Sequence, residues 1–352
     1  MSGAINTPRI RAAKPKGWRS GFCGLTNPPD SHARCTLTYG GTPCCCDCHQ
    51  ETAMAPQTPA ATIPQGEPVS RDVAAGTLHG FVYDLDEVEY HAHPTSLSVT
   101  GAKVLLKAPA LFDWQRKNTV YKSVWDFGSA AHAEVLGVGC PIVVHEYDPE
   151  KVKSPKSTNA WKAQQVEVRA SGGVLLLPDE HAQVRAMAAQ LKNHRLAMQL
   201  LSSGAAEVSA FVNDDETGVT MRSRFDWLAP DIITDYKSCA SANPMDWAGR
   251  YGVIKKLGYD NQAEWYLDVA RRLGHSARAF AWIAQEKDPP YLVSVIYADE
   301  EALDVARERN RFARQVFRDC TGSGIWPGYL DDRSFAQVSL SFPAWEAVEV
   351  AS

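Results

Sequence analysis

From about residue 80 onward the apolar positions fall into short runs with recognisable periods. Residues 80–84 (GFVYD) predict a short strand. Residues 96–106 (SLSVTGAKVLL) open with Ser and continue at helical spacing, as a capped helix does. Residues 126–136 (DFGSAAHAEVL) predict a second helix, 141–147 (PIVVHEY) a β-rich stretch, and the Ala-, Leu- and Gln-rich segment 179–202 a strong helix. Three strands are then expected at 206–213, 219–228 and 231–236, the first two joined by a hairpin turn at NDDETG. A helix at 259–273, a strand at 291–298 and a long charged helix at 299–319 complete the order. This is a mixed α/β pattern, with helices preceding a strand cluster. The first 77 residues behave differently. Residues 1–50 are rich in Cys, Gly, Pro and Thr with no period, and 51–77 read as a flexible Ala/Pro/Thr linker. The expected division is therefore a head (1–50), a linker (51–77) and a globular domain (78–352).

Composition narrows the class. Of 352 residues, 45% are hydrophobic and 22% charged, the balance of a soluble globular protein. No apolar run approaches the roughly 18 residues of a membrane span. The basic N-terminus lacks the apolar centre of a secretory signal, so a cytoplasmic location is expected. A net charge of −5 does not announce a nucleic-acid binder, so any DNA surface must be local.

The most informative stretch is RSRFDWLAPDIITDYKS at 222–238. Asp226 sits in one expected strand, and Asp235 and Lys237 at the end of the next. Residues two apart on a strand share a face, so Asp235 and Lys237 project together. The short turn between the strands returns Asp226 toward them. Two carboxylates and an ammonium converging on one side of a sheet suit phosphodiester hydrolysis. Hard divalent ions such as Mg²⁺ prefer carboxylate oxygens and polarise phosphoryl groups. Lys237 would orient or help deprotonate the attacking water, or offset charge in the transition state. Taken alone, a D-x-K on a strand is more often a surface ion pair.

Other residues change that balance. Gly128 and His132 lie one helical turn apart, with small residues between them that permit close packing. Imidazole ligates transition metals well and tolerates Mn²⁺. Gln262 and Tyr266 share a helix face at i and i+4, presenting an amide and a phenol. Glu207 is a further site carboxylate or a strand-edge charge; the sequence leaves both open.

In order and spacing, these pieces resemble the RecB-like branch of the PD-(D/E)XK superfamily: G-x-x-x-H (Gly128 to His132), Glu207, Asp226, D-Y-K (Asp235 to Lys237) and Q-x-x-x-Y (Gln262 to Tyr266). RecE-type exonucleases (exodeoxyribonuclease VIII), often encoded by phages, show the nearest likeness. It extends to 96–116 and to AQEKDPPY at 284–291, and covers residues 80–345. The resemblance implies a mixed central sheet flanked by helices. It also implies a nuclease that digests double-stranded DNA from its ends, 5′ to 3′, with Mg²⁺ or Mn²⁺, leaving a 3′ strand for a RecT-like annealing protein. By the same likeness His132, Asp226, Asp235 and the carbonyl of Tyr236 are metal ligands, Lys237 is the catalytic lysine, and Gln262 and Tyr266 support the site. Related enzymes form rings around DNA, so a homo-oligomer is implied too.

DNA contacts are expected from Arg222 and Arg224, which precede Asp226, and from Arg250, Lys255 and Lys256, with a solvated charged face as the plainer alternative for each. In the head, Cys23, His32, Cys35, Cys44, Cys45, Cys46, Cys48 and His49 offer more ligands than the four a structural zinc needs. A zinc knuckle for DNA or partner binding, drawing on Cys23, His32, Cys35, Cys46, Cys48 and His49, is the preferred reading over a reactive disordered tail. Cys140, Cys239 and Cys320 are scattered thiols. Two other functions fit the same fold: a DNA-binding scaffold without catalysis, and a single-strand or iron–sulfur repair nuclease. The latter places cysteines on both sides of its core, unlike this chain.

Overall fold

In the computed structural model the chain divides into two compact units, Met1–Ala60 and Ala61–Ser352. Described residues are 78–93, 95–118, 124–249 and 251–329, together with a hairpin pairing Thr38–Tyr39 and Thr42–Pro43 in the first unit. The expected zinc ligands, the linker and Arg250 lie outside them. Among the described residues no helix is long and apolar enough to cross a membrane.

The second unit follows the order β1 (Gly80–Val82), α1 (Glu87–Ala92), β2 (Leu97–Ser98), α2 (Val99–Leu105), α3 (Pro109–Lys117), α4 (Val124–Leu136), β3 (Ile142–Val144), α5 (Asn159–Ala170), β4 (Val174–Leu176), α6 (Pro178–Leu191) and α7 (Arg195–Leu200). Then come β5 (Ala205–Asn213), β6 (Thr220–Leu228), β7 (Ile232–Cys239), α8 (Pro244–Trp247), α9 (Val253–Leu257), α10 (Tyr259–Arg272), β8 (Ala279–Glu286), β9 (Val293–Tyr297) and α11 (Glu300–Ser323). A mixed sheet runs β9-β8-β7-β6-β5-β1, with β2 against β6, while β3 and β4 form a separate parallel pair. The expected α/β class, a mixed central sheet flanked by helices, is what the structure shows.

Helices cover both faces because the strands alternate. On β7 Ile233 enters the larger apolar cluster with α2, α10 and α11, while Tyr236 enters the other, with α4, α6 and β4. On β8 Trp282 and Ala284 face the first cluster and Ile283 the second. Strand β8 was not foreseen. Its sequence AFAWIAQE has no polar alternation because both faces are buried and it pairs in parallel with β7, which erases the period-2 signal. Segment 179–202 is two helices, broken where His194 Nδ1 accepts from Ala197 N at 3.2 Å and caps the second. The helix expected from Ser96 starts later. Leu97 and Ser98 first pair with Met221 and Arg222, and Ser98 Oγ caps the helix at Gly101 N, 3.2 Å.

The feature that positions the site is a fork in the sheet. Strand β6 pairs with β5 along its length, but with β7 only at Trp227↔Thr234 and Leu228↔Ile233. Beyond Asp226 the two strands separate, and β2 takes the far end of the same edge. Trp265 of α10 reaches into this region, with its Nε1 donating to Arg222 O at 3.1 Å while the ring is fully buried. Truncation there removes a large core side chain and orphans a carbonyl. Trp265→Ala is expected to cost about 3–5 kcal/mol in urea unfolding; a loss below about 1 kcal/mol would mean the fork does not need this helix.

Candidate active site

Strand β6 delivers Asp226 at the point where its pairing with β7 ends. From there Asp226 Oδ2 accepts the Tyr236 N–H at 2.9 Å, bridging strands that no longer form a ladder. Directly across the β5–β6 pair lies Glu207, between the pairs Ala206↔Trp227 and Val208↔Phe225. Its backbone is left-handed, φ 53°, an unusual state for a non-glycine residue that costs about 1 kcal/mol or more. Strain of this kind within a strand gathers where a side chain must be re-aimed.

His132 comes from α4 on the opposite side. Ala130 and Ala131 are fully buried, which brings this helix close to the sheet, as the run of small residues predicts. His132 Nε2 lies 2.6 Å from Asp226 Oδ2 and Nδ1 3.1 Å from Glu207 Oε1. Ligand atoms of these three residues all fall within 4.8 Å of one another. Gly128, one turn earlier, is not demanded by packing, since a Cβ there would meet only Ser238 Oγ at 3.9 Å.

Asp235 and Lys237 project from β7 to the same side, Lys237 Nζ 2.6 Å from Asp235 Oδ2. The other oxygen of Asp235 accepts from Gln262 Nε2 at 2.8 Å. Gln262 also bonds the buried hydroxyl of Tyr266, so the i, i+4 pair acts as one support for the carboxylate. Asp235 thus stands beside the three-residue group, held from α10. Tyr236 has its hydroxyl tied to Gln285 Oε1 at 2.8 Å, and that amide donates to Met187 O at 2.8 Å.

Two side chains next to the site carried no signal that singled them out. Tyr259 lies three residues before Gln262 on the same helix face, with Lys237 Nζ 5.2 Å from its ring centre. Lys103 of α2 approaches the same ring at 5.9 Å. Arg222 and Arg224 have partners within the chain. Arg222 donates to His91 O, His93 O and Ser96 Oγ, at 3.3–3.4 Å, and lies over the Tyr90 ring. Arg224 pairs with Glu207 Oε2 at 2.5 Å and donates to Leu85 O at 2.9 Å. Lys255 bonds Asp260 at 2.7 Å.

Residues 98–333 match the family described as a PDDEXK-like domain of unknown function (DUF3799), about two thirds of the chain. The chain belongs to this family. A crystal structure from Eubacterium rectale, of a protein named as a candidate exonuclease, shares the fold. That likeness has a TM-score of 0.51 at 16% identity, covering 76% of this chain and 98% of that one. The structure of SSO0001, at 11% identity and TM-score 0.24 over 55% of this chain and 87% of that one, carries no argument. No curated protein matches the chain.

Within this PDDEXK-like domain the electrostatics are tightly coupled. Burial disfavours a charged His132, but Asp226 and then Glu207 outweigh it and push its pKa up to about 10. Burial also acts against the Asp226 anion, yet His132, Lys237 and the Tyr236 N–H hold its carboxyl below the usual range. For Asp235, burial and then the Asp226 charge win over Lys237, pushing it up to about 7. Lys237 resists burial because Asp235 and Asp226 hold its ammonium well above the ordinary lysine value.

One imidazole and two carboxylates form a donor set that fits a divalent ion accepting both oxygen and nitrogen. The imidazolium supplies the positive charge between the two carboxylates that such an ion would supply. Ion binding through either ring nitrogen must therefore displace a proton at neutral pH. Mn²⁺ titration at pH 7, in buffers of differing ionisation enthalpy, should release about one proton per ion. Affinity should rise with pH up to about 10, where His132 loses its proton by itself. Binding with no proton exchange would remove His132 from the ligand set.

Proposed function

We propose that this chain is a metal-dependent exodeoxyribonuclease acting on linear double-stranded DNA. One observation carries the reading. His132, Glu207 and Asp226 present ligand atoms within 4.8 Å of one another, beside a lysine paired at 2.6 Å with Asp235, where the sheet forks. The membership in a PDDEXK-like family supports it. A divalent cation bound by His132 and the carboxylates supplies electrostatic stabilisation of charge building on the phosphoryl oxygens.

The residues themselves account for the rest of the chemistry. Lys237 is an ammonium at neutral pH, so it donates rather than accepts a proton. It orients the attacking water and offsets negative charge in the pentacovalent transition state. Gln262 fixes Asp235, and Asp235 fixes Lys237, so the donor is aimed before substrate arrives. Arg224 holds Glu207 by its second oxygen and leaves Oε1 toward His132. Digestion from 5′ ends, transfer of the 3′ strand to an annealing protein, and assembly around the duplex belong to the same proposal and rest on likeness to RecE-type enzymes.

The deciding assay follows a linear duplex labelled separately at its 5′ and 3′ ends, with Mg²⁺, Mn²⁺ or a chelator. Wild-type protein should degrade it from the ends only when metal is present. Asp235→Ala and Lys237→Ala should each lower the rate by about 100-fold or more while melting cooperatively. Full activity in both variants would sink the assignment. Binding without cleavage in either metal would instead make the chain a DNA-binding scaffold.

A further inference from the structure

Among the described residues Lys103 is a cation close to the site whose charge the fold leaves poorly matched. It lies on α2, a helix otherwise apolar on the face that carries Val99, Ala102 and Leu105 into the core. The helix begins where β2 leaves β6, so its place is set by the same fork that opens the site. Lys103 Nζ donates to Leu257 O, the last carbonyl of α9, at 3.3 Å. Among the described residues no carboxylate lies within 4 Å of it. Nearby acids are engaged elsewhere: Asp235 with Lys237, and Asp260 with Lys255 at 2.7 Å and Arg309 at 3.4 Å.

The stem of Lys103 is held in place. Gly258, left-handed at φ 63°, passes so close that a Cβ there would meet Lys103 Cδ at 2.9 Å. The next residue, Tyr259, offers its ring to both lysines, with Lys103 at 5.9 Å and Lys237 at 5.2 Å. Two ammoniums therefore flank one aromatic ring, one of them belonging to the reacting pair. Burial first, and the Lys237 charge second, pull the Lys103 ammonium down to about 8. A like-charged neighbour and a half-buried setting both favour an added anion.

We propose that Lys103, held by Gly258 and Tyr259, is a second phosphate-binding position, gripping a DNA phosphate next to the one that Lys237 serves. This rests on the nuclease reading above. A lysine acts there as a point charge without reading sequence. The phosphate is either an internal phosphodiester or a terminal 5′-phosphate, and both present the same chemistry to the ammonium.

The test compares wild type with Lys103→Ala, Lys103→Gln and Lys103→Arg on linear duplexes bearing either 5′-phosphate or 5′-hydroxyl ends, in Mg²⁺. Lys103→Gln replaces Lys103→Ala if the alanine variant loses its melting transition. Removing the charge should raise KM about tenfold with kcat within about twofold, and make the log–log salt dependence of binding shallower by about 0.9. Lys103→Arg should restore most of both. A defect confined to 5′-phosphorylated ends identifies the terminal phosphate; an equal defect on both ends identifies an internal one. Unchanged KM and salt slope, while wild type cleaves, overturn the Lys103 assignment and leave the nuclease reading intact. So does a loss of kcat at constant KM. Wild-type protein that neither binds nor cleaves the duplex overturns the nuclease reading and this assignment with it.

Discussion

The hydrogen bond from the Tyr236 N–H to Asp226 stands where two strands stop pairing, and the site depends on that separation. A continuous ladder between β6 and β7 would seal this edge of β6 with main-chain bonds. Instead only two residue pairs form before the strands diverge, and Asp226 takes up the first backbone donor left over. A carboxylate that receives a main-chain N–H is fixed in direction and stabilised as an anion. That anchored anion then organises the others: His132 is drawn to it from α4, and its charge helps raise Asp235 and hold Lys237 protonated.

Around the fork each charged side chain is aimed by another group. Glu207 is set by a left-handed backbone and by Arg224; Asp235 by Gln262; Gln262 by its place in the buried stretch Asp260–Ala270 of its helix. Such support is costly to assemble, because buried charges lose hydration that only close partners replace. The arrangement keeps the charged groups positioned without water having to reorganise around them. Arg222, by contrast, bonds two carbonyls and a hydroxyl before β2 and lies over Tyr90, so it ties the segment ahead of α2 to the sheet.

Much of the site was legible as spacing. The i, i+2 relation of Asp235 and Lys237 and the i, i+4 relation of Gln262 and Tyr266 are properties of strand and helix geometry, and both pairs meet as that geometry requires. Lys103 and Tyr259 were not legible, since a single lysine in an apolar helix and a tyrosine at a helix start have no period to betray them. Strand β8 was hidden for the opposite reason: burial on both faces replaced alternation with a uniform apolar run.

By itself the sequence determined the class of fold, most element positions and which residue types gather within reach of one another, because these follow from local periodicity and chain order. Only the tertiary structure decided how they divide. Glu207, open between a site carboxylate and an edge charge, joins His132 and Asp226 because its strand lies opposite Asp226 and its backbone turns left-handed there. Asp235 pairs instead with Lys237 and Gln262, because strand separation and α10 place it on the other side of the fork. Those choices depend on register and on helices distant in sequence, and no local pattern contains them.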